Sequence, residues 1–240
     1  MLLQNIFTQR IIFVLIIQIW PIFYCSYFAY KLLKRAKNRS TYTLSSFFIL
    51  FALTDVIANL SILFLFTPMA YFFYILAMYF LFFDHCFFII FSWVLVKLDE
   101  KSPNWKFSLT IILYGIISTY VFWIGFFFNG IIYDSTTNWV PTFSWFFLIF
   151  SWAFLVAFLI TPQIYFSFKL SKIFEGVVLK RRIKMFIICA FIELVVVFAF
   201  FLYRVLIENP FYGAFYMSLV TLVSPITAFL IYKSFIKELE

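Results

Sequence analysis

Residues 69–96 read MAYFFYILAMYFLFFDHCFFIIFSWVLV, ending against Lys97. Asp84 is the only acid in that run and His85 the only base. At about 1.5 Å of rise per residue it reaches across a hydrocarbon core of about 30 Å. Working outward in both directions gives six more stretches of the same kind, so that seven membrane spans are expected at about 11–30, 42–66, 69–96, 107–128, 143–168, 185–205 and 211–232. Composition demands the same environment. Hydrophobic residues make up 66% of the 240 and charged residues 12%, about half the charge of a soluble domain. A chain of this size cannot hide so much apolar surface from water, so the expected fold is an all-α polytopic membrane protein, a single seven-transmembrane helix bundle over residues 1–240.

Sixteen of the eighteen Lys and Arg residues fall between every second pair of spans. Lys31, Lys34, Arg35, Lys37 and Arg39 form one cluster, and Lys97, Lys101 and Lys106 a second. Lys169, Lys172, Lys180, Arg181, Arg182 and Lys184 form a third, and Lys233 with Lys237 the last. Short basic loops are retained on the cytoplasmic side, which predicts the amino terminus outside and the carboxyl terminus in the cytoplasm. The net charge of +8 therefore reads as orientation and contact with anionic lipids, with no nucleic acid as partner. Ten residues ending at Arg10 precede the first apolar run, and the first span is expected to serve as its own targeting signal.

The 40 Phe residues are spread through every span and read as lipid-facing filler. Cys25, Cys86 and Cys189 all fall inside spans without metal-ligand spacing, so neither a disulfide framework nor a metal site is expected. Asn38-Arg-Ser40 and Asn59-Leu-Ser61 fit the glycosylation pattern, yet one is predicted inside and the other within a helix. The polar loop 129–141 lacks Lys and Arg and suits the outer side. The connection Thr67–Pro68 is so tight that spans two and three must be antiparallel neighbours. Pro21, Pro162 and Pro225 each remove a backbone hydrogen bond within a span and are expected to kink it.

Charges inside the hydrocarbon need a partner or a purpose. Counting from the basic end at the helical rise, Asp55 lies about 20 Å deep, Asp84 about 18 Å and Glu193 about 12 Å. Arg204 ends span six, where its side chain is expected to snorkel outward. Eleven residues separate Glu193 from Arg204, three turns, so they share a face. Asp84, His85, Glu193 and Arg204 are the ligand-pocket candidates, although His85 should project about 100° from Asp84 on a helix. Asp55, Ser224 and Pro225 are candidate intramembrane switch residues. The alternative for each acid is structural glue, bonded to Ser, Thr or Asn on another helix. One histidine and three buried thiols supply no catalytic constellation, so neither an enzyme nor a cofactor is expected.

The stretch Ser45–Asp55, SSFFILFALTD, resembles the opening of span two in nematode serpentine chemoreceptors of the class gamma superfamily. His85 in span three, Trp105 with Lys106 opening span four, Glu208-Asn209-Pro210-Phe211 before span seven, and Ser224-Pro225 followed by Ser234 and Lys237 are similar in order and spacing. The resemblance implies a G-protein-coupled chemosensory receptor of the plasma membrane, in a sensory cilium, binding a small-molecule ligand. Lys97, Lys180, Arg181, Arg182 and Lys184 would then face the G protein. The chain departs from that family in three ways. It reads Ser92-Trp93-Val94-Leu95-Val96-Lys97 where an Asn-Arg pair is usual, it lacks the cysteine pair that ties span three to the second outer loop, and it is short. Two other functions fit seven spans: a small transporter or channel, for which a repeat between halves would be the sign, and a non-signalling partner of another receptor.

Overall fold

The computed structural model describes residues 2–35, 38–97, 104–174 and 176–236, with side chains for residues 19–35, 38–97, 105–174 and 176–234. Lys37, Lys101, Lys237 and the side chain of Arg10 lie outside the described residues. Seven long helices follow one another: α1 (Leu2–Arg35), α2 (Arg39–Leu63), α3 (Pro68–Val96), α4 (Trp105–Phe127), α5 (Trp145–Ile173), α6 (Val177–Val205) and α7 (Pro210–Ser234). Among the described residues, α2 to α7 are long and apolar enough to cross a membrane. The chain is an all-α polytopic membrane protein. The only strands among the described residues are β1 (Ile131–Ile132) and β2 (Thr142–Phe143), a two-rung antiparallel ladder in the connection from α4 to α5.

The helix starts are built locally. Asn38 holds an extended conformation and accepts from Thr41 N at 2.8 Å, Ser144 accepts from Phe147 N at 3.1 Å, and Asn209 from Phe211 N at 3.0 Å. Pro68 and Pro210 occupy first-turn positions, where a missing N–H costs nothing. Helices extend past the expected spans at the basic ends: α6 begins at Val177, eight residues before the apolar run. Main-chain bonding continues wherever Lys and Arg stems can reach water. The connection from α2 to α3 is longer than the expected dipeptide. It occupies 64–67, with Phe66 at a left-handed φ of 69°, and α2 and α3 pack against each other along their length.

Two prolines are accommodated by π-helical turns. Leu155–Ile160 precedes Pro162, and Leu219–Val223 precedes Pro225. Pro162 cannot donate to the carbonyl four residues back, that of Phe158, and the Tyr114 hydroxyl of α4 donates to it instead at 2.5 Å.

α3 is the central helix. Two-thirds of its apolar window (67%) is buried, against 22–44% for α2 and α4 to α7, and it packs on α2, α4 and α5. Phenylalanine serves both sides of the bundle: many described Phe side chains, Phe23, Phe72, Phe127 and Phe168 among them, are exposed as filler would be, and others build this interior. Phe48, Phe82, Phe91, Phe147, Phe186 and Phe201 are fully buried. Phe82 stacks on Phe201 at 5.3 Å, and Phe88 on Phe186 at 5.2 Å, joining α3 to α6. Lipid tails are as apolar as the core, so shape matching of rings supplies the selectivity that hydrophobicity cannot. At Gly125 of α4 an added Cβ would stand 2.9 Å from the side chain of Ile75 on α3.

Candidate functional site

Toward the end of the bundle that carries few basic residues lies a cavity of about 200 Å³. It is walled by α1, α2, α3, α6, α7 and the α4–α5 connection. Tyr24, Phe51, Tyr74, Phe200, Tyr203 and Tyr216 give it an aromatic lining, interrupted by Asp55, Glu193, Arg204 and Ser224. Four of the polar residues singled out from the sequence thus meet in one space.

Glu193 binds the cavity to α7. Its carboxylate accepts from Ser224 Oγ at 3.2 Å and from Thr227 Oγ1. Ser224 also lies 3.4 Å from the Tyr24 hydroxyl of α1. The three helices therefore share a polar knot next to Pro225 and directly below the π turn. Glu193 further borders a small void lined by His85 and Gln163.

Arg204 does not snorkel. Its guanidinium sits over the rings of Phe200 (5.3 Å), Tyr203 (5.5 Å) and Tyr74 (5.8 Å). Helical side chains lean toward the helix amino end, which for α6 is the basic end, so Arg204 leans back into the bundle. One Nη1–H reaches Pro141 O at 3.5 Å, the outer limit of a hydrogen bond, and Nε has no partner.

Asp84 and His85 do not line the cavity. Both are buried, at 0% and 4% exposure, and face one another's polar atoms. His85 Nδ1 contacts Asp84 Oδ1 and Leu81 O, the latter at 2.9 Å. A carbonyl can only accept, so Nδ1 carries a proton. The expected 100° divergence is corrected here: it describes Cα–Cβ directions, and Asp and His keep their polar atoms near enough to the backbone for side-chain rotation to close the gap. The ring stands edge-on to Phe47 at 5.8 Å. On α2, Asp55 Oδ2 and both amide atoms of Asn59, one turn on, lack partners.

Sequence reasoning missed several components. Gln163 is 1% exposed and accepts from Ser92 Oγ at 3.1 Å, tying α5 to α3. Tyr74 is buried with an unpartnered hydroxyl. Tyr133, Trp139, Val140 and Pro141 come from the loop that reads as merely polar, and they form the cavity's cover. Trp139 and Asn138 hold left-handed φ angles of 54° and 52°, and Trp139 meets Phe66 edge-on at 5.3 Å. The apolar triplet Trp-Val-Pro within a polar loop was the available signal. Asp134 anchors the loop by accepting from Thr136 N at 2.8 Å and Thr136 Oγ1 at 2.5 Å. Those bonds from Thr136 hold its carboxyl below the ordinary 3.8.

Lys97 ends α3, and Lys180, Arg181, Arg182 and Lys184 occupy the first turns of α6. The three cysteines are buried and unbridged. No group of His, Cys, Asp and Glu among the described residues could hold a metal. Comparison with protein-family models, curated proteins and solved structures finds no match to this chain.

Proposed function

We propose that the chain is a seven-span receptor of the plasma membrane, amino end outside, which detects a small molecule in the cavity capped by the 129–141 loop. The observation that carries this reading is the double engagement of Glu193. The same carboxylate lines the cavity and is bonded to Ser224 and Thr227, on either side of Pro225. A ligand that competes for Glu193 loosens α7 beside its π turn, where the ladder is already interrupted. A bound ligand shifts an equilibrium only by its differential affinity for two states, and the Glu193 bonds supply a difference between them. The basic residues Lys180, Arg181, Arg182 and Lys184, with Lys97, lie on the side that would meet a G protein. The order of motifs shared with serpentine chemoreceptors supports the same reading.

The test is a ligand screen in heterologous cells with a calcium or cAMP readout. Glu193→Gln is expected to raise basal output or blunt the response. Ala58→Trp, which fills the cavity from α2, is expected to abolish the response at unchanged surface expression. Responses that survive Ala58→Trp would remove the cavity from the reading. Solute uptake into liposomes holding the purified protein, without any G protein, would favour transport instead.

A further inference from the structure

We infer that the cavity contains an anion subsite centred on Arg204, whose occupant is a small organic carboxylate. The inference rests on the cavity reading above and deepens it. Arginine remains charged at any ordinary pH, and a cation enclosed in a membrane protein is costly without a counter-charge. Arg204 has none: no described acid forms an ion pair with it. Glu193 is committed to Ser224 and Thr227, and Asp134 to its own loop. Its rings at 5.3–5.8 Å offset part of the charge through their faces. Hydrogen bonds are still lacking, since one long contact to Pro141 O serves a group with five N–H donors.

A second observation points to the same place. Tyr74 is 3% exposed, lines the cavity, lies beneath the Arg204 guanidinium and has a hydroxyl with no partner. A planar carboxylate accepts two parallel bonds from a guanidinium and one more from a phenol. The aromatic lining between Arg204 and the Asp55–Glu193 floor fits a flat or apolar body behind that carboxylate. Asp55, whose Oδ2 is unpartnered, is placed to receive a hydroxyl from the far end of the molecule.

The experiment uses the full chain in phosphatidylcholine nanodiscs, with binding followed by calorimetry and thermal unfolding. Phenylacetate and octanoate are compared with phenylacetamide and octanamide. The carboxylates are expected to bind at least about tenfold more tightly than the amides. Arg204→Gln should bring them down to the amide level while leaving the amides unchanged, and Arg204→Lys should fall between. If Arg204→Gln does not fold, Tyr74→Phe provides the second measurement, with selectivity for carboxylate over amide reduced by about threefold or more. Equal binding of carboxylates and amides overturns the subsite and leaves the cavity reading intact, as does failure of every carboxylate to bind. Carboxylate binding unchanged in Ala58→Trp overturns both. Discs containing phosphatidylglycerol separate the sources: undiminished carboxylate binding supports a small-molecule occupant, and Arg204-dependent competition assigns the subsite to a lipid headgroup and overturns it.

Discussion

Three turns of α6 separate Glu193 from Arg204, and that spacing alone predicts a shared face. Sequence could not reveal their different situations: Glu193 is held by two hydroxyls of α7, whereas Arg204 is surrounded by rings and nearly without acceptors. The difference arises from side-chain lean and from the fold of a loop more than 60 residues away in sequence, neither of which a helical count contains. The same holds for Asp84, whose place within span three was legible but whose partner, the adjacent His85, depends on rotamers. Two predictions belong at this scale. Asp134 has a lowered carboxyl pKa because Thr136 bonds its ionised form. Its contribution to loop order is therefore present above the unfolded-state value of about 3.9 and lost as pH falls through the lower folded one. Protection factors of the amides in the 129–141 loop, which divide out the intrinsic pH dependence of exchange, should stay flat from pH 7 to about 5 and fall below about 4, and Asp134→Asn should remove that acid dependence. Phe201 is fully buried against Phe82 and Phe147. Phe201→Ala leaves a void of roughly 80–100 Å³, and at about 24 cal/mol per Å³ the cavity term alone is about 2 kcal/mol. Unfolding titrations in mixed micelles measure it, and a cost near zero would mean that α3 and α6 close the gap.

Helices were legible because hydropathy sets the apolar runs apart; the starting chemistry at Asn38, Pro68, Ser144 and Asn209-Pro210 emerges from the structure. The helices' inner limits were not legible, since an apolar count stops where Lys begins while the backbone ladder continues. Side-chain pairing explains the extension. Lys31 lies over Tyr27, Lys34 over Tyr30, Lys169 over Tyr165 and Lys233 over Phe229, at 4.6–6.0 Å. Each aromatic sits one turn deeper than its Lys, a spacing that lets the ammonium reach water above a ring at the membrane boundary. Pro162 was legible as an interruption, but not the device that absorbs it. The π turn Leu155–Ile160 and the Tyr114 hydroxyl divide the work between them. Tyr114→Phe is thus expected to destabilise the bundle by about 0.6–1.7 kcal/mol, the range for hydrogen bonds between membrane helices. In a Pro162→Ala background residue 162 regains an N–H for Phe158 O, so the same substitution should cost close to nothing. Equal costs in the two backgrounds would show that the Tyr114 bond does not compensate for the proline.

At the scale of the whole molecule, the four basic clusters order everything else. Their described members sit where α1, α3, α5 and α7 end and where α2, α4 and α6 begin, so alternation of helix direction gathers them at one end of the bundle. The cavity and its loop cover belong to the other end, with Asp134 and Glu208 but few cations. This polarity has a physical consequence for orientation. A Lys or Arg cluster lowers its free energy at an anionic inner leaflet by about 1 kcal/mol per residue near the surface, and inverting the bundle would forfeit that for every cluster together. In α6 the cluster Lys180, Arg181, Arg182 and Lys184 occupies the fourth to eighth residues of the helix, mostly past the first turn in which the dipole acts. The orientation we propose would account for this charge pattern. Single cysteines test it, because the native thiols are buried in the bundle. Ser135→Cys in the cover loop should react with a membrane-impermeant maleimide on intact cells. Ser171→Cys, exposed near the end of α5, should react only after permeabilisation. The reverse pattern would place the cavity mouth in the cytoplasm and sink outside detection, while leaving the bundle and its Glu193 knot as they are. Labelling of both sites on intact cells would mean a mixed population. Removing Lys180, Arg181, Arg182 and Lys184 together should drive the normal chain toward that mixture, since orientation responds to the summed bias of short loops and not to any one residue.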